Sequence, residues 1–305
     1  MASLGEVLQA RRAFVGLLAT VVALIVAGCG GDDGDENGSG EAASGETASI
    51  QISPPAGLIR EGELRVCTDP TYPPLESFDE SGEFVGFDVE VARAVAETWG
   101  VEAVFQETSF SGILPALDAG RCDVAWSGLF LDPERKKRFS AVPYQESASV
   151  IMVKAGNPEN ITSPEDLAGK TVASQSGSGV LKLAKEISAE NEATGLEPSK
   201  IQAYDKFQEA IQQLAVGRAD AVITQDIDVA AREAEQPGQF EVAYRFEDAE
   251  TFGVYYKPEN EELGEKLYES LKALEEAGEL ERIAEANHMP VDGIAVEKPV
   301  LAKER

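Results

Sequence analysis

CDVAWSGLFLDPERKKRFSAVPY, residues 122–144, decides how this chain is read. A short apolar strand, Val124 to Trp126, ends in two small residues, Ser127 and Gly128. Little side-chain bulk at a strand end lets a ligand approach the backbone. Asp132-Pro133-Glu134 then reads as a helix start, with Asp as cap and Pro at the first helical position. Arg135 follows at once, a planar fork of donors that fits a carboxylate in two places. The same residues also suit a plain helix start followed by a solvated basic run to Arg138, so the rest of the chain has to decide.

The chain has 305 residues, 43% of them hydrophobic, enough for one large domain or two small ones with real cores. Its 55 acidic against 26 basic residues leave a net charge of −29, a field that repels nucleic acid and anionic headgroups. One histidine and three scattered cysteines supply no metal-ligand cluster, and no metal or cofactor is expected.

Arg11-Arg12 precede an apolar run over 13–27 that is short for a membrane span and shaped like a secretory signal. It ends Val26-Ala27-Gly28-Cys29, which resembles a bacterial lipobox, so residues 1–28 are expected to be a signal peptide and Cys29 the lipidated residue. Residues 29–57 are rich in Gly, Ser, Asp, Glu and Ala and cannot bury enough surface to fold; they read as a tether.

Beyond the tether the pattern alternates. A strand at 64–68 leads into Asp69-Pro70-Thr71-Tyr72-Pro73-Pro74, where proline stiffens the loop. Tyr72 is then either a presented aromatic wall or a ring packed on its own prolines. Val91, Val95 and Trp99 lie four apart on a helix that Gly100 ends. A strand at 101–106, a helix at 110–117 and the strand opened by Asp123 complete one unit. After a strand at 147–154 the count restarts: strand 171–174, loop Gln175-Ser176-Gly177-Ser178-Gly179, helix from Val180, strand 201–204, helix 208–216, strand 220–224 ending at Gln225-Asp226. The Gly177–Gly179 loop is either an ordinary tight turn or a set of free N–H groups at a helix start that suits an anion. Gly169-Lys170-Thr171 is no phosphate loop, since its strand follows instead of preceding it. A strand at 251–256 and two closing helices at 261–276 and 280–286 leave a weakly patterned tail from Pro290 to Arg305 that is expected to lie on the surface. Such alternation argues for mainly parallel sheets, with ligands off the carboxyl ends of the strands. Asp69, Tyr72, Phe110, Ser127 and Gly128 all fall there.

Val66-Cys67-Thr68-Asp69-Pro70-Thr71-Tyr72-Pro73-Pro74, Val85-Gly86-Phe87-Asp88, Thr108-Ser109-Phe110, Gly120-Arg121-Cys122-Asp123-Val124, Pro133-Glu134-Arg135 and Gly217-Arg218-Ala219-Asp220-Ala221 together resemble extracellular solute-binding proteins of family 3, the extracytoplasmic receptors of polar amino-acid ABC importers. The resemblance runs from about Leu58 to Pro290. It implies an α/β, two-lobe periplasmic-binding-protein fold of type II with a two-segment hinge: lobe 1 over 58–148 and 247–290, lobe 2 over 149–246, and a tail over 291–305. It implies no catalysis, a small amino-acid-like ligand, permease and ATPase partners, a monomer, and anchorage to the membrane through lipid. By the same resemblance Arg135 clamps the ligand's α-carboxylate and the N–H groups of Gly177, Ser178 and Gly179 share it. Tyr72 and Phe110 sandwich the ligand side chain, Asp69 helps set its preference, and Ser127 and Gly128 meet the α-ammonium.

Two positions depart from the pattern. Phe130 stands where Thr is common and Gln225 where Asp is common, both on the ammonium side; Asp226 is next in line to compensate. Either the ligand's amine is absent, substituted or differently held, or Asp69 or Asp226 takes over. The alternative function is a periplasmic cyclohexadienyl dehydratase-like enzyme on the same fold. Cys67 and Cys122 are expected to be free buried thiols, since they fall at opposite ends of parallel strands.

Overall fold

The computed structural model describes residues 50–302; the signal segment, Cys29 and nearly all of the tether lie outside the described residues. Among the described residues, eleven strands and seven α-helices alternate as the hydrophobic periods require. They are β1 (Glu63–Thr68), β2 (Thr71–Tyr72), β3 (Glu76–Phe78), β4 (Phe84–Val85), α1 (Phe87–Thr98), β5 (Glu102–Glu107), α2 (Ile113–Asp118) and β6 (Val124–Ala125). Then come β7 (Ser140–Lys154), β8 (Thr171–Gln175), α3 (Gly179–Ala193), β9 (Lys200–Tyr204), α4 (Phe207–Ala215), β10 (Ala221–Gln225), α5 (Asp226–Glu235), β11 (Phe240–Tyr256), α6 (Glu261–Glu276) and α7 (Glu279–Ala286).

Eight strands form one sheet in the order β5-β1-β6-β11-β7-β10-β8-β9. Its two wings are parallel, β1 with β5 and β6, and β8 with β9 and β10. The wings are joined by β7 and β11, an antiparallel pair of 15 and 17 residues running through both. These strands are far longer than the patterns at 147–154 and 251–256 suggest. The outer half of β7 lacks strict alternation because both its faces are buried nearly throughout, while the first half of β11 is mostly exposed or half-buried. The ladder is broken between Arg245 and Ala249, which face Val150 and Ala148, so β11 carries two extra residues there. Such an irregularity bends a strand pair locally, and it divides the sheet into its two wings.

Val91 and Val95 of α1 and Trp99 at its C-cap form a buried apolar stripe, and the Trp99 indole N–H donates to Ser270 Oγ of α6 at 2.7 Å. On the opposite face of that wing α2 covers a second cluster that includes Cys67, Ile113, Leu117 and Cys122.

Three expectations need correction. Cys67 and Cys122 form a disulfide with Cα atoms 5.7 Å apart. The β6 strand is only two residues long and starts at Val124, so Cys122 is not held in the ladder. It belongs to the same apolar cluster under α2 as Cys67. Arg135–Lys137 is a single 3₁₀ turn, not a helix; Asp132 Oδ1 accepts the N–H groups of Glu134 and Arg135 at 2.8 and 3.3 Å and so caps it. The tail does not merely lie on the surface. It returns along the first half of β7, with Val300 N–H on Ala141 O at 2.8 Å and Ala295 N–H on Tyr144 O at 3.1 Å.

Candidate functional site

The ends of β1, β5, β6, β8 and β10 meet between the two wings. Each is a carboxyl end, where the parallel ladder stops and side chains turn towards the gap.

Asp69, just past β1, is buried. Its N–H donates to Ser127 Oγ at 3.0 Å, and its carboxyl accepts Phe110 N–H at 3.1 Å and Gln175 Nε2 at 2.7 Å. Burial pushes the Asp69 carboxyl up, against these donors, which pull it down. Gln175 ends β8 in the other wing, so this bond crosses the gap. Tyr72 crosses it too: its hydroxyl donates to Gln225 Oε1 and its ring meets Phe207 edge-on with centroids 4.7 Å apart. Burial, and then the charge of Asp228, push the Tyr72 hydroxyl well up.

Arg135 is half-buried. Its Nη1 donates to Phe130 O at 3.1 Å, its Nη2 to Gly177 O across the gap at 3.4 Å, and its Cζ lies 5.8 Å from the centre of the Phe110 ring. Burial lowers its pKa, yet a guanidinium stays charged. Among the described residues no carboxylate lies within ion-pair distance of it. Its acceptors are two carbonyl oxygens, which share its donors without neutralising its charge.

Ser178 caps α3: its Oγ accepts Leu181 N–H at 3.1 Å and donates to Gln175 O at 2.7 Å. Gly177 sits at φ 80°, and a Cβ there would come within 3.3 Å of the Ser111 backbone. Gly179 lies against Phe130, whose ring would be 2.8 Å from an added Cβ. The Phe130 ring stacks on Phe252, centroids 4.7 Å apart, and its carbonyl also accepts the Tyr255 hydroxyl. Gly128 takes φ 51° beside the Tyr72 ring.

Together Tyr72, Phe110, Gly128, Phe130, Ser178 and Gly179 line a cavity of about 20 Å³, with Gln175, Phe207 and Gln225. That is room for about one water, so the wings are shut on each other. A larger space of about 580 Å³ lies beyond, with Phe130 and Gly179 as walls common to both.

Asp226 is not among these residues. It opens α5, but its carboxylate accepts Ser147 Oγ at 2.7 Å and Ala148 N–H at 3.3 Å and pairs with Arg245. It faces the β7–β11 crossing because helix α5 begins at that residue and turns its side chain away from the strand end. Gln175, Thr71 and Phe207 escaped the sequence reading. Gln175 was findable, since it ends a strand directly before the glycine loop. Thr71 and Phe207 meet only through the fold, where Phe207 N–H donates to Thr71 Oγ1 at 3.3 Å. Among the described residues no group of three His, Cys, Asp or Glu side chains could hold a metal ion, and no helix is long and apolar enough to cross a membrane.

Two α/β wings joined by a strand pair, closing on a gap with a cation at its edge, define a two-lobe ligand-trapping receptor of the periplasmic-binding-protein fold. The family model for bacterial extracellular solute-binding proteins, family 3, matches residues 64–288, and the chain belongs to that family. It is 31% identical over 277 residues to the arginine-binding protein ArgT of Corynebacterium glutamicum, covering 90% of each chain. It is 28% identical over 242 residues to the L-cystine-binding protein TcyJ of Escherichia coli, covering 78% of this chain and 88% of that one. Among solved structures, an ancestral arginine-binding protein bound to arginine superposes with a TM-score of 0.68 at 36% identity, covering 74% of this chain and 98% of that one. The role is extracytoplasmic binding for transport, without catalysis.

Proposed function

We propose that the chain captures an amino acid or a related small carboxylate-bearing solute by lobe closure and delivers it to an ABC permease. Lobe 1 is residues 58–148 and 247–290, lobe 2 is 149–246, and the protein works as a monomer tethered through lipid on Cys29 over residues 29–57. Arg135 clamps the ligand carboxylate, with the N–H groups of Gly177, Ser178 and Gly179 on its other side. Tyr72 and Phe110 hold the side chain, Asp69 biases it, and Ser127 and Gly128 lie at the strand end that meets the rest of the ligand.

The observation that carries this reading is Arg135, a half-buried cation that reaches from one lobe to Gly177 O of the other with no carboxylate partner among the described residues. Burying a charge without a counter-ion is costly, and a ligand carboxylate offsets that cost. On the amine side the three groups that the sequence offers are already engaged: Asp69 by Phe110 and Gln175, Asp226 by Ser147 and Arg245, and Gln225 Oε1 by Tyr72. This supports a ligand whose amine is absent, substituted or held by neutral groups.

Native mass spectrometry of the purified protein, followed by a thermal-shift panel of amino acids, their N-acetyl derivatives and their carboxamides, tests both parts. Carboxylates are expected to raise Tm and carboxamides not to. Equal shifts from the carboxamides remove Arg135 as the clamp. Tight binding through an unmodified α-amine removes the second part alone.

A further inference from the structure

Beneath the cleft floor lie two acids for which the capture reading has no use. Glu76 opens β3 and Asp88 stands in the first turn of α1; they are 0% and 2% exposed. The local fold brings them together. Phe87 and Asp88 donate their N–H groups to Pro74 O and Leu75 O, both at 2.9 Å. The residue before them, Gly86, takes φ 117°, where a Cβ would come within 2.5 Å of Leu75 O, so only glycine permits this approach.

Asp88 serves as an acceptor only. It takes Gly128 N–H at 2.9 Å and the Tyr144 hydroxyl at 2.8 Å. Glu76 accepts Ser127 Oγ–H with one oxygen at 2.8 Å, while its other oxygen is buried and meets no donor. The titratable groups facing the pair are Asp69 and Tyr72 near Glu76 and Tyr144 near Asp88, with the Trp126 indole beside them; none is a cation. Two neighbouring carboxyls in such a place cannot both be ionised, and their titration is a property of the pair.

We infer that Glu76 holds a proton at neutral pH and donates it to Asp88, and that this bond positions Ser127 and Gly128 as the floor of the cleft. Burial, and then the Asp88 charge, push the Glu76 carboxyl well up. Burial raises Asp88, and with Gly128, Tyr144 and Glu76 itself pulling against that rise it stands at about 6, whereas nothing but Ser127 opposes the rise of Glu76, which makes Asp88 the ionised partner. Two chains of hydrogen bonds then tie the strand ends together: Asp69 N–H to Ser127 Oγ and on to Glu76, and Gly128 N–H to Asp88. Glu76 and Asp88 are positioning residues, acting on the ligand through Ser127, Gly128 and Asp69. The sign follows from the raised Glu76 value. The floor is intact while the proton is bound and loosens as pH rises through the pair's titration.

The inference rests on the capture reading only for its meaning in binding. The test needs no ligand, so the two can fail separately. Difference infrared spectra of wild type and Glu76→Gln at neutral pH report the C=O stretch of a protonated carboxyl. Amide exchange at Asp69 and Gly128, referred to Val150 in β7, is followed by NMR between roughly pH 5 and pH 9. The expected result is a protonated-carboxyl band in wild type that Glu76→Gln lacks. Wild-type protection at both amides falls by up to about tenfold per pH unit above the titration. Glu76→Gln keeps its protection throughout, because its amide still accepts from Ser127 and donates to Asp88, whereas Glu76→Ala loses it at every pH. The absence of that band, or the same pH profile in wild type and Glu76→Gln, overturns the inference. If Glu76→Ala does not fold, the comparison of wild type with Glu76→Gln decides alone.

Discussion

Replacing Arg135 by Met separates binding from folding. The guanidinium makes two hydrogen bonds, to carbonyls at 3.1 and 3.4 Å, and stacks loosely on Phe110. A bond from an ionised donor contributes about 1.5 to 3 kcal/mol at good geometry, and the 3.4 Å bond less. Against this stands the cost of a half-buried cation, whose lowered pKa records its desolvation. Met keeps the length of the apolar stem, and Phe130 O retains the Tyr255 hydroxyl. The two contributions nearly cancel, so unliganded stability should change by no more than about 1 kcal/mol. Binding should change far more. A two-pronged guanidinium–carboxylate contact at a partly desolvated site is worth about 3 to 4 kcal/mol, or roughly 10²- to 10³-fold in Kd. The assay is urea unfolding of the unliganded variant beside calorimetric titration with the solute that co-purifies with wild type. Wild-type affinity in Arg135→Met refutes the clamp. A collapse of unliganded stability shows instead that the guanidinium is structural.

Cys67→Ser should lower stability by up to about 4 kcal/mol, since the bridge closes 55 residues, and reductant should lower wild type equally in urea melts. Phe130→Thr removes the ring stacked on Phe252 and should cost about 3 kcal/mol in the same assay; it should also open the small cavity, so that bulkier carboxylates give larger thermal shifts. Asp228, fully buried, is raised to about 6 by burial despite the bond from Arg232 Nε. The folded form therefore holds a proton that the unfolded chain releases near pH 4. Stability should fall as pH rises from about 4 to about 6, by about 3 kcal/mol for two units, and then level off. Asp228→Asn changes the absolute stability, because Arg232 loses its partner, but should remove that share of the slope in melts across the range.

Local chemistry carried much of this fold openly. Hydrophobic period placed α1 through Val91, Val95 and Trp99, and Gly100 marked its end, because helix burial follows spacing along the chain itself. The carboxyl-end rule collects Asp69, Tyr72, Phe110, Ser127 and Gly128 from the sequence alone, since in a parallel wing topology alone assigns those ends to one side. What stayed hidden depends on partners far away in the chain. The 15- and 17-residue strands that join the wings read as short: burial on both faces erases the alternation in β7, and the first half of β11 is mostly exposed or half-buried and so shows no buried face. Cys67 and Cys122 meet because a two-residue strand leaves Cys122 outside the ladder, a matter of register that spacing does not encode. Asp226 faces away from the gap while Gln225 faces into it, since neighbouring residues where a strand becomes a helix point in directions set by the packing of α5. Glu76 and Asp88 lie 12 positions apart in sequence, and although Asp88 ends the Val85-Gly86-Phe87-Asp88 motif, nothing in that spacing marks the two as a pair. Only the fold, by closing around both without supplying a cation, turns two ordinary acids into a pair that must share a proton.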